Sequence, residues 1–268
     1  MREHEIHKDE SNFKRYTADT RPVERATFDL LNQNALRKYI EKLKDNDPNL
    51  AHLEDERIYE LMKITLDGKL TLSSVLLFSR FPQAYFPQLA ITAIAVPGTE
   101  IGALGKYGER FIDNKRIEGT IVEMLDDAIR FVRRNMRTKT IIDPETAKRE
   151  DRTDYPLIAI REALINALVH RDYSIDTEGI PIQIEMYEDR MEIINPSRPY
   201  WETRKEQQTI RNPVLASALE GVGIVRNNQS GIPAIKKAMT EYLLREPKFM
   251  DKNGTFSVTF YREIIVSN

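Results

Sequence analysis

The chain has no cysteine in its 268 residues. That excludes disulfides, thiolate zinc sites and cysteine nucleophiles, and it fits a reducing compartment. Histidine is scarce as well, and His4, His7 and His52 are scattered without metal-ligand spacing. No stretch approaches the roughly 20 apolar residues of a membrane span. The opening run of ten residues, mostly charged, holds no apolar core for a signal peptide. An excess of one charge is missing too: 40 basic and 42 acidic residues leave a net charge of −2. No global basic field points to nucleic acid, so any DNA contact must come from a local patch or another domain. The glycine-rich span 98–108 lacks the Gly-Lys-Ser/Thr of a P-loop. What is present is a chain 41% hydrophobic and 31% charged, with room for one large domain or two small ones. A cytoplasmic protein is expected.

Residues 1–25 are charged and aperiodic and read as a loose arm or the tail of something upstream. Phe28, Leu31, Leu36, Tyr39, Ile40 and Leu43 recur at helical spacing, and Asp45-Asn46-Asp47-Pro48-Asn49 breaks that helix. A short helix over 54–63, a turn over 66–69, a buried helix over 70–79 opening at Thr71, and a strand over 89–96 follow. The span 119–136 is an amphipathic helix running into Arg130, Arg133, Arg134, Arg137 and Lys139. That cluster reads as a solvated helix end favoured by the dipole, with a phosphate-contacting patch as the alternative. Residues 180–187 and 191–194 alternate like a hairpin turning at Glu188-Asp189-Arg190. Helices are expected over 213–220 and 232–244, the first capped by Asn212 with Pro213 at its opening position, and a strand over 254–265. The expected divisions are a helical arm or tail over 1–64, a connecting α/β subdomain over 65–150, and a third unit over 151–268. The order of elements from 157 onward predicts a helical layer on one face of a mixed sheet, an α/β (α+β) fold.

The most informative stretch is 161–173, Arg-Glu-Ala-Leu-Ile-Asn-Ala-Leu-Val-His-Arg-Asp-Tyr. Glu162, Asn166 and His170 are spaced four apart, drift only about 40° per step on a helix, and so form one polar stripe. Nearly every other position there is apolar, which marks a buried helix. A carboxylate, an amide and an imidazole on such a helix are costly unless something polar meets them. Water, a ligand or a metal ion would serve, and so would a closed network with Arg190 or Arg211.

Tyr155-Pro156 leading into the run from Ala159 to Ser174 resembles the signature of transcriptional regulators that carry a divergent ATP-binding module, the RecG-like helicase C-terminal or Schlafen/AlbA-associated type. Asp189-Arg190-Met191-Glu192-Ile193-Ile194-Asn195-Pro196 is similar to that family's next block, Asp-Arg-x-Glu-Ile-x-Asn-Pro-Gly. Arg211-Asn212-Pro213 and Ser230-Gly231-Ile232-Pro233 resemble the two after it, and the run from Leu70 to Pro87 resembles the segment just before the ATPase-like part. The family is in turn similar to the GHKL superfamily of gyrase, Hsp90, histidine kinases and MutL. That likeness implies the Bergerat fold, an α/β sandwich with ATP between a mixed sheet and its helices.

By this resemblance Glu162 is the catalytic carboxylate that orients or deprotonates water, and Asn166 holds Mg²⁺. His170 and Arg171 reach phosphates or lock the helix end, Arg171 being the charge partner. Asn195 stands where the superfamily reads the adenine amine, with Ser197 in place of the family's glycine. Ser230 and Gly231 form the phosphate lid, with Gln229 where the family carries its first glycine. ATP and Mg²⁺ are the implied cofactors. DNA is the implied partner through an upstream or downstream domain, with a homo-oligomer left open and no membrane. The chain is accordingly expected to be a fragment or a shortened member. The implied function is an ATP-binding module of a transcriptional regulator. The alternative is a protein-interaction or dimerisation module that keeps the fold without the nucleotide.

Overall fold

The computed structural model describes residues 17–142, 146–147, 149–196, 211–225 and 231–262. In the N-terminal part, Asn32 opens helix α1 (Gln33–Asn46) by accepting from the Ala35 amide at 3.1 Å. Two short helices follow, α2 (Pro48–Ala51) and α3 (Asp55–Leu61). The hairpin of β1 (Thr65–Leu66) and β2 (Lys69–Leu70) turns through Asp67 and Gly68, both at positive φ (51° and 76°), the conformation that an Asp-Gly turn between twisted strands needs. Thr71 then caps α4 (Leu72–Phe78), all seven of whose residues are buried, and α5 (Pro82–Tyr85) closes the segment.

Residues 17–25 are not the loose arm expected. Val23 N donates to the Leu70 carbonyl at 2.8 Å, Leu72 N donates to that of Arg21 at 2.9 Å, and Asp19 is 1% exposed. A carboxylate can be buried so deeply because its partners are amides from a distant helix, described below. Residues 1–16 lie outside the described residues.

Next come β3 (Ile91–Ala95), β4 (Asp113–Ile117), α6 (Ile121–Asn135), the hairpin β5 (Thr138–Ile142) and β6 (Arg149–Thr153), and α7 (Leu157–His170). The chain continues with β7 (Ile182–Met186), β8 (Arg190–Pro196), α8 (Pro213–Gly221), α9 (Gly231–Glu241), β9 (Lys248–Lys252) and β10 (Thr255–Tyr261). Six of these strands form one mixed sheet in the order β4-β3-β7-β8-β10-β9. Only β3 and β7 run parallel, and α6 and α7 lie in the crossover between them, as a parallel connection requires.

Strand periodicity decides which face is covered. Ile91, Ala93, Ile182, Ile184, Met191, Ile193, Val258 and Phe260 are buried beneath the helices, while Thr92, Gln183, Glu185 and Glu192 alternate onto the other face. α6 and α7 pack over the apolar face and α9 packs on α7. Thr120 opens α6 with a reciprocal capping box to Glu123. The fold is the mixed α/β arrangement expected, with its helical layer on one side. At the basic end of α6, Arg134 bonds Asp113 at 2.5 Å and Arg130 bonds Asp127. The strands β4, β5, β6 and β9 had no expectation. β4 reads Asp-Asn-Lys-Arg-Ile and β9 reads Lys-Phe-Met-Asp-Lys. Both are edge strands whose charges discourage further pairing and hide their pattern.

Candidate functional site

On α7 the stripe is graded: Glu162 and Asn166 are half-buried and His170 is exposed. Among the described residues neither Glu162 nor Asn166 meets a side-chain hydrogen-bond partner. The closed network with Arg190 or Arg211 is not what forms. Arg190 bonds Glu192 at 2.6 Å and Asp189 at 3.0 Å, and Arg211 lies 3.7 Å from Asp172. Burial raises the Glu162 carboxyl above the usual glutamate pKa, with the Arg161 cation opposing it. Although its surface is exposed, the His170 imidazole is held below its usual pKa by partial loss of hydration and by the Arg211 cation.

Gly231 brings the first turn of α9 against the stripe. A Cβ at Gly231 would stand 3.2 Å from Asn166 Nδ2 and 3.5 Å from its Oδ1. The missing side chain lets a helix start come this close to the amide, and the first amides of a helix are donors without helical partners. Asn195 sits at the far end of β8, on the helix-covered face, and is 3% exposed. Its Oδ1 is buried with no hydrogen-bond partner among the described residues, a deficit that costs about 1–3 kcal/mol unless a donor arrives. Asp251, which had no sequence expectation, shares this condition. It stands opposite Phe256, which stands opposite Asn195, so all three share one face, and the Asp251 Oδ1 is likewise buried and unpartnered. Only recognition of β9 as a strand could have flagged it.

One expected site residue and one expected helix cap bond elsewhere. Arg171 is 1% exposed, and its Nη2 donates to the carbonyls of Ile180 at 2.5 Å and Thr177 at 3.2 Å. These bonds lock the end of α7, the second of its two expected roles, while its Nε and Nη1 are buried without a hydrogen-bond partner among the described residues. Asn212 holds the position before α8, yet its side chain does not cap that helix. Its Nδ2 instead donates to the Val169 and Arg171 carbonyls at 2.7 and 2.8 Å, closing the end of α7. The cap of α8 comes from Asp19, whose Oδ2 accepts from the amides of Val214 at 2.9 Å and Leu215 at 3.1 Å. Ser197, Gln229 and Ser230 lie outside the described residues. Among those described, no group of three or more histidines, aspartates and glutamates could hold a metal ion, and no helix is long and apolar enough to cross a membrane.

Residues 179–260 match the family described as "Putative ATP-dependent DNA helicase recG C-terminal". This part of the chain is similar to the RecG C-terminal, ATPase-type domains that the family describes. The match begins after α7, so Glu162 and Asn166 lie outside the RecG-like span while Asn195, Gly231 and Asp251 lie inside it. Residues 9–92 match a domain family of unknown function. None of the curated proteins matches the chain. Among solved structures, the DIP2311 protein from Corynebacterium diphtheriae is similar with a TM-score of 0.66 at 19% identity, over 95% of this chain and 49% of that one. The chain thus spans about half the length of that protein, and a likeness at this identity speaks for the fold alone.

Proposed function

We propose that the chain binds ATP with Mg²⁺ between α7 and α9, above the Asn195 end of the sheet, as the nucleotide-responsive part of a transcriptional regulator. The reading rests on the Asn166 side chain lying against the bare Cα of Gly231. It gains support from the unpartnered Asn195 Oδ1 and from the ATPase-type family likeness. Asn195 Oδ1 is an acceptor waiting for an amine donor, which suits the exocyclic amine of adenine. The first amides of α9 face an anion favourably. Magnesium takes few protein ligands beside phosphate and water, and Asn166 Oδ1 is the oxygen available to hold it. Bound there, the ion would neutralise phosphate charge. Glu162, with its pKa raised by burial, is a stronger base than an exposed glutamate and is the group to take a proton from an attacking water.

DNA binding belongs in this proposal to a domain upstream or downstream of the described fold, since the net charge of −2 offers no basic field of its own. The test is thermal melting with and without Mg-ATP. Nucleotide at 100 times its Kd adds about 2.7 kcal/mol, and the shift is expected to vanish in Asn166→Ala. An unchanged melting temperature at millimolar Mg-ATP would overturn the proposal. Glu162→Gln is expected to keep the shift while abolishing release of phosphate from ATP.

A further inference from the structure

The opposite end of the same sheet carries a cavity that the nucleotide reading does not use. Its volume is about 300 Å³, within the range of small-molecule sites. It opens where the parallel strands β3 and β7 end, at Ala95 and Met186. The carboxyl ends of parallel strands are where sheets of this kind leave crevices, because the chain departs there in diverging directions. Met186 pairs with Met191 at the start of β8, whereas Asn195 lies near the end of that strand. The two sites are therefore separated by most of a strand, on the order of 15 Å at 3.3 Å per residue.

The lining divides into two kinds of surface. Ala95, Val96, Pro97, Ile112 and Met186 form an apolar wall. Facing it are the guanidinium groups of Arg137 and Arg262. Both converge on one neutral acceptor: Arg137 Nη2 donates to the Glu188 carbonyl at 3.1 Å, and Arg262 Nη1 donates to the same oxygen at 3.2 Å. Asn135, Tyr187 and Glu188 complete the lining, and the Asp154 carboxylate behind the two arginines is already engaged. Asp154 Oδ2 accepts from the Arg137 backbone amide at 2.8 Å and lies 3.2 Å from Arg262 Nε, the two side chains being 6% and 10% exposed. Among the described residues the Arg137 side chain has no carboxylate partner, and its remaining donors are uncommitted. A nine-tenths buried arginine and a second cation beside an apolar wall make a cradle for one anionic head joined to an apolar body.

We infer that this cavity is a binding site for a small carboxylate with an aromatic or branched aliphatic body. A volume of about 300 Å³ lies at the lower end of small-molecule sites, which suits a single ring bearing its carboxylate. Arg262 also donates from Nη2 to the Asn135 carbonyl at 3.5 Å, so the carboxylate would take the remaining donors of Arg137 beside the Arg262 cation, and the ring would lie on the wall formed by Ile112 and Met186. The site is independent of the nucleotide proposal, because none of Glu162, Asn166, Asn195 and Gly231 lines it.

Benzoate is the probe, followed through the methyl resonances of Met186 and Ile112 in the full chain, with benzamide as the uncharged match. Saturable shifts at both methyls are expected, with benzamide at least tenfold weaker. Arg137→Ala should weaken benzoate at least tenfold, and Ile112→Trp, which fills the cavity from an exposed position (Ile112 is 65% exposed), should abolish the shifts. Both residues are on the surface, so both variants should melt as the parent does. The inference is overturned if no saturable shift occurs, if benzamide binds as well as benzoate, or if both variants bind unchanged. Asn166→Ala serves to separate the two proposals. Benzoate binding that survives it while the ATP response is lost supports two sites, and benzoate binding lost with it overturns the assignment to this cavity.

Discussion

The two halves of α7 treat polar groups in opposite ways. At the C-terminal end side chains meet the backbone: Asn212 closes two carbonyls, Arg171 ties the following turn, and Tyr173 Oη donates to the Leu168 carbonyl at 2.8 Å. In the middle of the helix Glu162 and Asn166 stand half-buried without such partners. Side chains that bond backbone carbonyls hold architecture even where other atoms of the same groups, Arg171 Nε and Nη1 and Asn212 Oδ1, stay unpartnered, whereas Glu162 and Asn166 bond no side chain of the described fold. The comparison predicts that substitutions at the end of α7 cost stability and that those at its middle cost function.

The largest effect is expected at Arg171. Arg171→Met removes both bonds to the Thr177 and Ile180 carbonyls and leaves buried acceptors without donors. A loss of about 3 kcal/mol in urea-induced unfolding is expected, with no specific change in ATP response once the variant is folded. A stable variant that has lost only its ATP response would put Arg171 back among phosphate contacts and erase the contrast between the two halves.

Next come Asn212→Ala and Asp19→Ala, each expected to cost about 2 kcal/mol by leaving helix-end groups unpaired. Asp19→Asn should restore part of that loss, since an amide oxygen still accepts from Val214 and Leu215. If Asn212→Ala proves neutral, its two carbonyl bonds are not what closes α7.

These two residues also show how far the sequence could be read. The opening of a helix at Thr71, whose partner lies three residues away, was legible, and so was the Asp67-Gly68 turn, because their physics is local. The stripe of Glu162 and Asn166 was legible for the same reason, since helical spacing alone aligns it. Asp19 was not, because the Val214 amide it caps lies 195 residues later and no local pattern encodes that pairing. Asn212 was placed correctly before its helix, yet its amide turns back to the preceding one, a choice that depends on packing. Arg171 had two roles compatible with its position, and only the carbonyls of the turn at 177–180 select between them. The charged edge strands β4 and β9 were missed because solvent exposure removes the alternation that strands are read by.

Gly231→Ala sharpens the contrast from the other side. Alanine suits a helix better than glycine, so the unliganded protein should melt at or slightly above the parent temperature. The new Cβ would crowd Asn166, at 3.2 Å from Nδ2, and ATP should bind at least tenfold more weakly in titration calorimetry. Equal affinity would mean that the approach of α9 to Asn166 serves packing only.

The smallest effect is also the most diagnostic, because a structural carboxylate would give the opposite sign. The Glu162 pKa is raised from its ordinary value of 4.5 by burial, so the folded state favours the protonated form. The stability associated with that form is fully present below pH 4.5 and is lost as pH rises through the folded pKa. Glu162→Gln is neutral throughout and escapes the loss. It should match the parent in acid and exceed it at neutral pH, by less than about 0.5 kcal/mol given the partial solvent exposure of the site. A paired, architectural glutamate would have a lowered pKa, and its replacement would destabilise at neutral pH. Unfolding curves of both proteins between pH 4 and 8 distinguish the two, and a crossover to lower stability above pH 4.5 would return Glu162 to the class of residues that hold the end of α7.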